Sequence, residues 1–181
     1  MRRSLLLLTV FAAAAFAVAS APQSAHAGGV GFYNGTGFHF GPALTGQGGD
    51  GAWLNEGGGV EVLLGRNDGR VHGRLRFAYN AIIDLGDASS VRHSAFLSLG
   101  AKIELLDDTT TPFGLYLGTD LGVSPLVTHL RSYFSYSIGP GVRIRPVERL
   151  ALFAEVALLV RYEKVFAAGP TFFFGARISF D

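Results

Sequence analysis

Residues 91–105 read VRHSAFLSLGAKIEL and alternate between two kinds of side chain. Every odd position from Val91 to Leu105 is apolar except His93, and every even position is polar, small or charged except Phe96. A period of two predicts an extended strand with two chemically different faces. The stretch is longer than an average strand of about 5–6 residues and exceeds the about 9–11 residues that a tilted strand needs to cross a bilayer. We therefore expect it to form one strand of a membrane β-barrel.

The composition fits one all-β domain. The chain has 181 residues, of which 49% are hydrophobic, 12% aromatic and only 16% charged. Beyond the amino-terminal segment, no apolar run reaches the roughly 18 residues of a helical membrane span. With no cysteine, the chain has no disulfide, thiolate metal site or cysteine nucleophile. Its net charge of +1 gives no electrostatic basis for binding nucleic acid.

The amino-terminal segment has the layout of a secretory signal peptide. Arg2 and Arg3 precede an apolar run over residues 5–19, and residues 25–27 form a small-x-small cleavage site. We predict that residues 1–27 are the signal peptide, that they direct export across an inner membrane, and that residues 28–181 form the barrel domain.

Seven further stretches show the same period of two, which gives eight predicted strands in all. The other seven cover residues 28–41, 58–64, 71–81, 113–123, 133–145, 150–162 and 170–180. We expect a bulge or loop near Glu56 and a bulge or poorly paired position at Pro140. The predicted connections alternate between about 6–10 and about 4–6 residues. An even strand number with alternating connections predicts an all-β, eight-stranded antiparallel up-and-down transmembrane β-barrel with both chain ends in the periplasm.

Alternation alone does not distinguish between two kinds of β-barrel. A soluble, periplasmic lipocalin-like binder would bury the apolar face, and a membrane barrel would expose it. Two features favour the membrane barrel: many small residues on the polar face, such as Gly114 and Gly118, and outward aromatics that collect at two levels. The predicted upper girdle comprises Phe38, Phe40, Tyr79, Phe134, Tyr136, Tyr162, Phe172 and Phe174, and the lower girdle comprises Phe32, Phe113 and Phe180.

In this pattern, residues 28–181 resemble the small eight-stranded outer-membrane barrels of the OmpA/OmpX-like group. The last strand, which ends in Phe180, is similar to that group's carboxyl-terminal assembly signal, although Asp181 follows it here. The resemblance implies location in the outer membrane, contact with outer-membrane lipids and recognition by the barrel insertion machinery. We expect a monomer without a cofactor.

Most of the charged residues occupy the polar parity, that is, the strand positions that alternate with the apolar ones. We place their side chains in the barrel interior. They are Glu61, Arg74, Arg76, Arg92, Lys102, Glu104, Asp120, Arg143, Arg145, Glu155, Arg161 and Arg177, with His39 and His72. Charges away from water must be paired, and eight strands enclose little more than side chains. We therefore predict a structural network of ion pairs. A pore that prefers anions is the alternative, because eight of the twelve charges are basic.

The other alternative is an enzyme that modifies lipid A, since some barrels of this size resemble such enzymes. The chain offers His93, Ser94 and Glu104, but adjacent strand residues point to opposite faces, so His93 and Ser94 cannot act together. No histidine pair has metal-ligand spacing, and Arg74 and Arg76 share a face with His72. We predict no catalytic, cofactor or metal residue, and a structural or surface-interaction role.

Overall fold

The computed structural model describes residues 27–42, 50–65, 70–86, 91–107, 112–125, 132–162 and 166–180. Apart from Ala27, the predicted signal peptide lies outside this part of the chain. The described residues form eight strands, each antiparallel to the next, and β8 pairs with β1 to close the barrel. The strands are β1 Ala27–Pro42, β2 Asp50–Leu64, β3 Val71–Asp84, β4 Val91–Asp107, β5 Phe113–Pro125, β6 Ser132–Val147, β7 Leu150–Tyr162 and β8 Phe166–Ile178. The predicted eight-stranded up-and-down barrel is confirmed.

The barrel has two ends, which we name by their connections. The turn end carries the β2–β3, β4–β5 and β6–β7 connections, the start of β1 and the end of β8; the loop end carries the other connections. Several strands extend beyond their predicted limits towards the loop end. β3 continues to Asp84, and β8 begins at Phe166, so that only three residues separate it from the end of β7 at Tyr162. The predicted 6–10-residue connection there is therefore wrong, because Tyr162 and Phe166 already pair.

β2 is regular where a break was expected. It pairs with β1 in one continuous register from Asp50 to Leu63, and the expected bulge or loop near Glu56 is absent from it. Glu56 is exposed on the outer face, and the preceding inward positions, Trp53 and Asn55, are buried. The strand keeps its period of two because the carboxylate of Glu56 points out of the barrel near the loop end.

Pro140 is a poorly paired position, as predicted, and it causes no bulge. It pairs with Leu117 on β5, whereas pairing with β7 passes from Ile138 to Gly141 without a change of register. Proline has no N–H to donate to a ladder. The register shifts of the described strands lie near strand ends, at 27/29, 104/106 and 144/147.

The strands are strongly staggered around the barrel. A row of paired residues that starts at Val30 passes through all eight strands and returns to β1 at Phe40, ten residues further along. Such a shear tilts the strands against the barrel axis and fixes the barrel's width. Residues at one height therefore lie at different distances from the ends of their strands.

Candidate functional site

The two faces of the barrel wall are inverted relative to a soluble protein. Large apolar side chains are exposed on the outside, with Leu99, Leu121 and Phe32 at 64%, 66% and 65% exposure. Inside, Arg74 and Glu61 are fully buried. A soluble barrel with an apolar interior does not fit this distribution. An outer apolar surface this extensive marks contact with a non-aqueous environment or with a partner.

A layer of ion pairs crosses the middle of the interior, and Arg74 is at its centre. Its Nη2 and Nε donate to the two carboxylate oxygens of Asp120 at 2.5 and 3.0 Å, and its Nη1 donates to Glu155 Oε2 at 2.6 Å. Bidentate contact of this kind fixes the geometry of both groups. Arg74 and Asp120 lie in one row of the sheet on either side of Gly100, which has no side chain to separate them.

Arg76 completes this central layer. It donates to Glu61 at 3.0 Å, to Asp120 at 3.2 Å and to Glu155 at 3.1 Å. Its guanidinium also lies over the ring of Phe173, 4.6 Å from the centroid. Since Glu61 also accepts from Arg177, three carboxylates balance the charges of three buried guanidinium groups, those of Arg74, Arg76 and Arg177.

The contact between Arg177 and Glu61 joins the two ends of the sheet. Arg177 is on β8 and Glu61 is on β2, and both are in register with Gly31 on the intervening β1. As at Gly100, a glycine between the two charged residues leaves room for them to meet. The guanidinium of Arg177 also lies 5.0 Å from the centroid of Phe153.

A smaller cluster lies towards the turn end. Lys102 and Arg143 both donate to Oε1 of Glu104, Arg143 at 2.9 Å. Lys102 is fully buried and lies 4.3 Å from the centroid of the Tyr116 ring. The ammonium group is therefore enclosed by one carboxylate and one aromatic face.

The remaining predicted interior residues lie nearer the ends. Arg161 and His39 are buried towards the loop end, where His39 Nε2 and Thr171 Oγ1 are 3.0 Å apart. Arg92 and Arg145 are half-buried, and they lie close to the loop end and the turn end respectively. The structure thus brings most of the predicted charges into the two clusters and leaves Arg92 outside the ion pairs described above.

Aromatic residues fill the space between these charges, and the sequence prediction did not name them as part of the site. Tyr33, Tyr116 and Phe153 form a buried group with Ala78, and Phe96 and Phe173 pack against it. The available signal was their position on the polar parity, where an aromatic must point inwards. Two cavities of about 20 Å³ lie on either side of the central layer, each with room for one water molecule.

The outer aromatics only partly form two levels. Phe40, Phe134 and Tyr162 are exposed near the loop end, together with Phe38 and Tyr136, and Phe113 and Phe180 are exposed at the turn end. Phe32 and Phe172 differ from their predicted rim positions. Phe32 pairs with Ala176, four residues before Phe180, and Phe172 pairs with Val156 in the middle of β7. Phe174 pairs with Ala154 and is displaced in the same way.

The residues of the catalytic alternative point to opposite sides of the wall. Ser94 is fully buried in the interior, and His93 stacks on the outward ring of Tyr79 with centroids 5.6 Å apart. Within the described segments, no group of three or more histidine, cysteine or acidic residues could hold a metal ion. In the same part of the chain, no helix is long and apolar enough to span a membrane.

No protein-family model and no curated protein sequence matches the chain. Among solved structures, the fold is similar to that of Neisserial surface protein A (NspA), with a TM-score of 0.53 and 13% identity over 83% of this chain and 97% of that one. Ail, the attachment invasion locus protein of Yersinia pestis, matches at 13% identity over 84% and 99%, with a TM-score of 0.46. A de novo designed transmembrane β-barrel matches at 14% identity over 82% and 95%, with a TM-score of 0.39.

The chain therefore has the fold of the small eight-stranded outer-membrane β-barrels. The likeness to NspA, at this level of identity, concerns the fold.

Proposed function

We propose that the chain is an integral outer-membrane β-barrel protein with a structural or surface-interaction role in the cell envelope, not an enzyme. It is a monomer that contacts outer-membrane lipids through the apolar face of its wall. Both chain ends and the turn end face the periplasm. The fold similarity to NspA supports this proposal.

The observation that carries the proposal is the inversion of the two faces. Leaving a leucine or phenylalanine in water costs about 1.5–3 kcal/mol relative to burying it. Leu99, Leu121 and Phe32 are each more than 60% exposed, and similar residues surround the whole barrel. Lipid tails would cover this surface, and the closed sheet satisfies the backbone hydrogen bonds that lipid cannot.

The interior supports a role without catalysis. Its central charges are engaged with one another: Arg74 and Arg76 each contact both Asp120 and Glu155. A catalytic acid or base needs access to a substrate proton, and here the carboxylates are used to compensate buried guanidinium groups. The connections at the loop end would supply any contact with a surface partner.

The last strand supports assembly by the barrel insertion machinery. Outward residues of β8 include Phe172, Phe174 and Ile178, and Phe180 follows. β8 is an alternating apolar strand that pairs with β1 in the closed barrel, and such machinery would join these two edges. We infer that this machinery is the protein's assembly partner.

Fractionation and heat modifiability test the proposal. We expect the protein in the outer-membrane fraction, with a folded band that migrates differently from the boiled band. Recovery as a soluble periplasmic protein would contradict it. Lipid A mass spectra that change on deletion and overexpression would contradict the non-enzymatic role and favour the lipid A enzyme.

A further inference from the structure

The outer face of β1 and β2 is polar in one place within its apolar surface. Two successive outward pairs are polar or small, and we call them the polar patch: Thr36 with Glu56, and Asn34 with Gly58. The carboxylate of Glu56 is on the exposed side of the wall. The next outward pairs are apolar in both directions, Phe38 with Leu54 towards the loop end and Phe32 with Val60 towards the turn end. The patch is therefore enclosed by apolar wall.

Glu56 lies just below the upper aromatic level of the wall. A row of paired residues climbs ten residues towards the loop end around eight strands, which is about four residues over three strands. The row through Val160 on β7 reaches β2 at Ala52. Glu56, four residues nearer the turn end, is therefore level with Val160 and two residues below the exposed Tyr162. Since such aromatics mark the membrane interface, the carboxylate lies where acyl chains are linked to headgroups.

Lysine and arginine do not compensate Glu56 on this side of the barrel. The described outward residues of β1 to β4 include neither residue type. The two loop-end connections beside them, residues 43–49 and 87–90, contain no lysine, arginine or histidine. His93, in the same row across Ala81, is stacked on Tyr79. A carboxylate only accepts hydrogen bonds, and in contact with lipid it is unfavourable without a donor.

Gly58 leaves space on the wall beside this carboxylate. Gly58 is exposed, and the nearest atoms to an added Cβ, both at 3.4 Å, are Asn34 Oδ1 and the carbonyl oxygen of Tyr33. The side-chain amide of Asn34 therefore borders the space, and an amide has both donors and an acceptor. A ligand with a carbonyl and an N–H or O–H group could contact Asn34 and Glu56 together.

Membrane lipids differ in the groups that they present at this height. Lipids with two ester-linked acyl chains present ester carbonyls, which only accept hydrogen bonds. Lipids with amide-linked or hydroxylated chains present N–H or O–H donors as well. Only the second class can donate to the carboxylate of Glu56 from the linkage region.

We propose that the polar patch binds a membrane lipid whose acyl linkage carries amide or hydroxyl donors. The lipid donates to Glu56, its carbonyl accepts from Asn34 or Thr36, and its acyl chain lies along the space at Gly58. This inference rests on the membrane location proposed above and adds the class of lipid that this side of the wall prefers.

Fluorescence quenching in vesicles tests the proposal. Ala81→Trp reports on the lipid beside Glu56, with which Ala81 is in register, and Val160→Trp reports on the matched height on β7. The vesicles consist of phosphatidylcholine with a small share of either brominated sphingomyelin or brominated phosphatidylcholine. The two brominated lipids share a headgroup, but only sphingomyelin has an amide N–H and a hydroxyl at its linkage.

Sphingomyelin should quench the added fluorescence of Ala81→Trp more strongly than phosphatidylcholine does, by about twofold or more, because it gains a hydrogen bond to a charged group. Both lipids should quench Val160→Trp equally. Glu56→Leu, combined with Ala81→Trp, should abolish the preference because the acceptor is lost. Gly58→Val should reduce the preference without a loss of stability, because its side chain fills the space on the wall.

Equal quenching of Ala81→Trp by the two lipids would overturn the proposal, as would a preference that survives Glu56→Leu. Weak quenching by both lipids at this position alone would also overturn it, since another protein would then cover the patch. If neither lipid quenches Ala81→Trp or Val160→Trp, the membrane location itself is wrong and the inference fails with it.

Discussion

Arg74 on β3 and Asp120 on β5 meet across Gly100, the residue of β4 that lies in register with both. Two hydrogen bonds, at 2.5 and 3.0 Å, join their side chains. A side chain on the β4 residue between them would separate these two groups. The ion pair therefore depends on the glycine as much as on the two charges.

The first prediction concerns the charge of the central layer. Asp120→Asn leaves Arg74 and Arg76 under-compensated in a buried site. We expect a loss of about 3–5 kcal/mol in the free energy of unfolding, as for other broken buried ion pairs. Urea unfolding of the protein folded into lipid vesicles measures it. Glu148→Gln, in the exposed β6–β7 turn, is the control and should be neutral; equal stability of the two variants would show that the layer does not hold the barrel together.

The second prediction concerns the space above Gly100. A Cβ at this position would collide with the carboxylate of Asp120 and the backbone of Thr119. Gly100→Val should therefore destabilise the folded protein by about 1–3 kcal/mol or more, as overpacking does. At Gly58 on the outer face, the nearest atoms to an added Cβ lie at 3.4 Å. Gly58→Val should be tolerated in the same unfolding measurement, and a larger loss at Gly58 than at Gly100 would contradict this account.

The third prediction concerns which face meets lipid. Leu97 is exposed on the outside, and the adjacent Phe96 packs against the interior aromatic group. The chain's one tryptophan, Trp53, is 2% exposed in the interior. Brominated lipids should therefore quench the added fluorescence of Leu97→Trp strongly and that of Phe96→Trp weakly. Equal quenching, or the reverse order, would rule out the assignment of the faces.

The fourth prediction concerns depth in the membrane. Leu99 is the middle residue of β4, and Leu106 lies next to its end. An arginine on the lipid face of a barrel costs about 2–4 kcal/mol at the bilayer midplane and about 0–1 kcal/mol near the interface. Leu99→Arg should thus destabilise the protein in vesicles far more than Leu106→Arg. Similar losses for both would mean that the wall does not cross a bilayer at this height.

The sequence was sufficient for the fold class and for the two faces of each strand. The period of two assigned Arg74, Arg76 and Glu61 to one side of the wall, and the structure places them together. The sequence does not define the strand ends, as at Phe166, because small and aromatic residues there suit a loop or a strand equally well.

The position of a residue along the barrel axis cannot be derived from the sequence of its own strand alone. The position of each residue in its own strand places Phe32 and Phe172 at the rims. The ten-residue shear shifts each strand relative to its neighbours, so that both lie within the wall. For the same reason, the ion-pair partner of each interior charge cannot be predicted without the strand register. The register also shows which glycines lie between two paired charges.

The pairing of Glu61 with Arg177 over Gly31 has a consequence for biogenesis. Glu61 is in β2 and Arg177 is in β8, so this pair can form only after all eight strands have been synthesised, whereas Arg76 on the neighbouring β3 is available to Glu61 earlier. The contact can form only when the final hairpin docks against the first strand and closes the ring. This salt bridge thus stabilises only the closed barrel and is absent from every incomplete sheet.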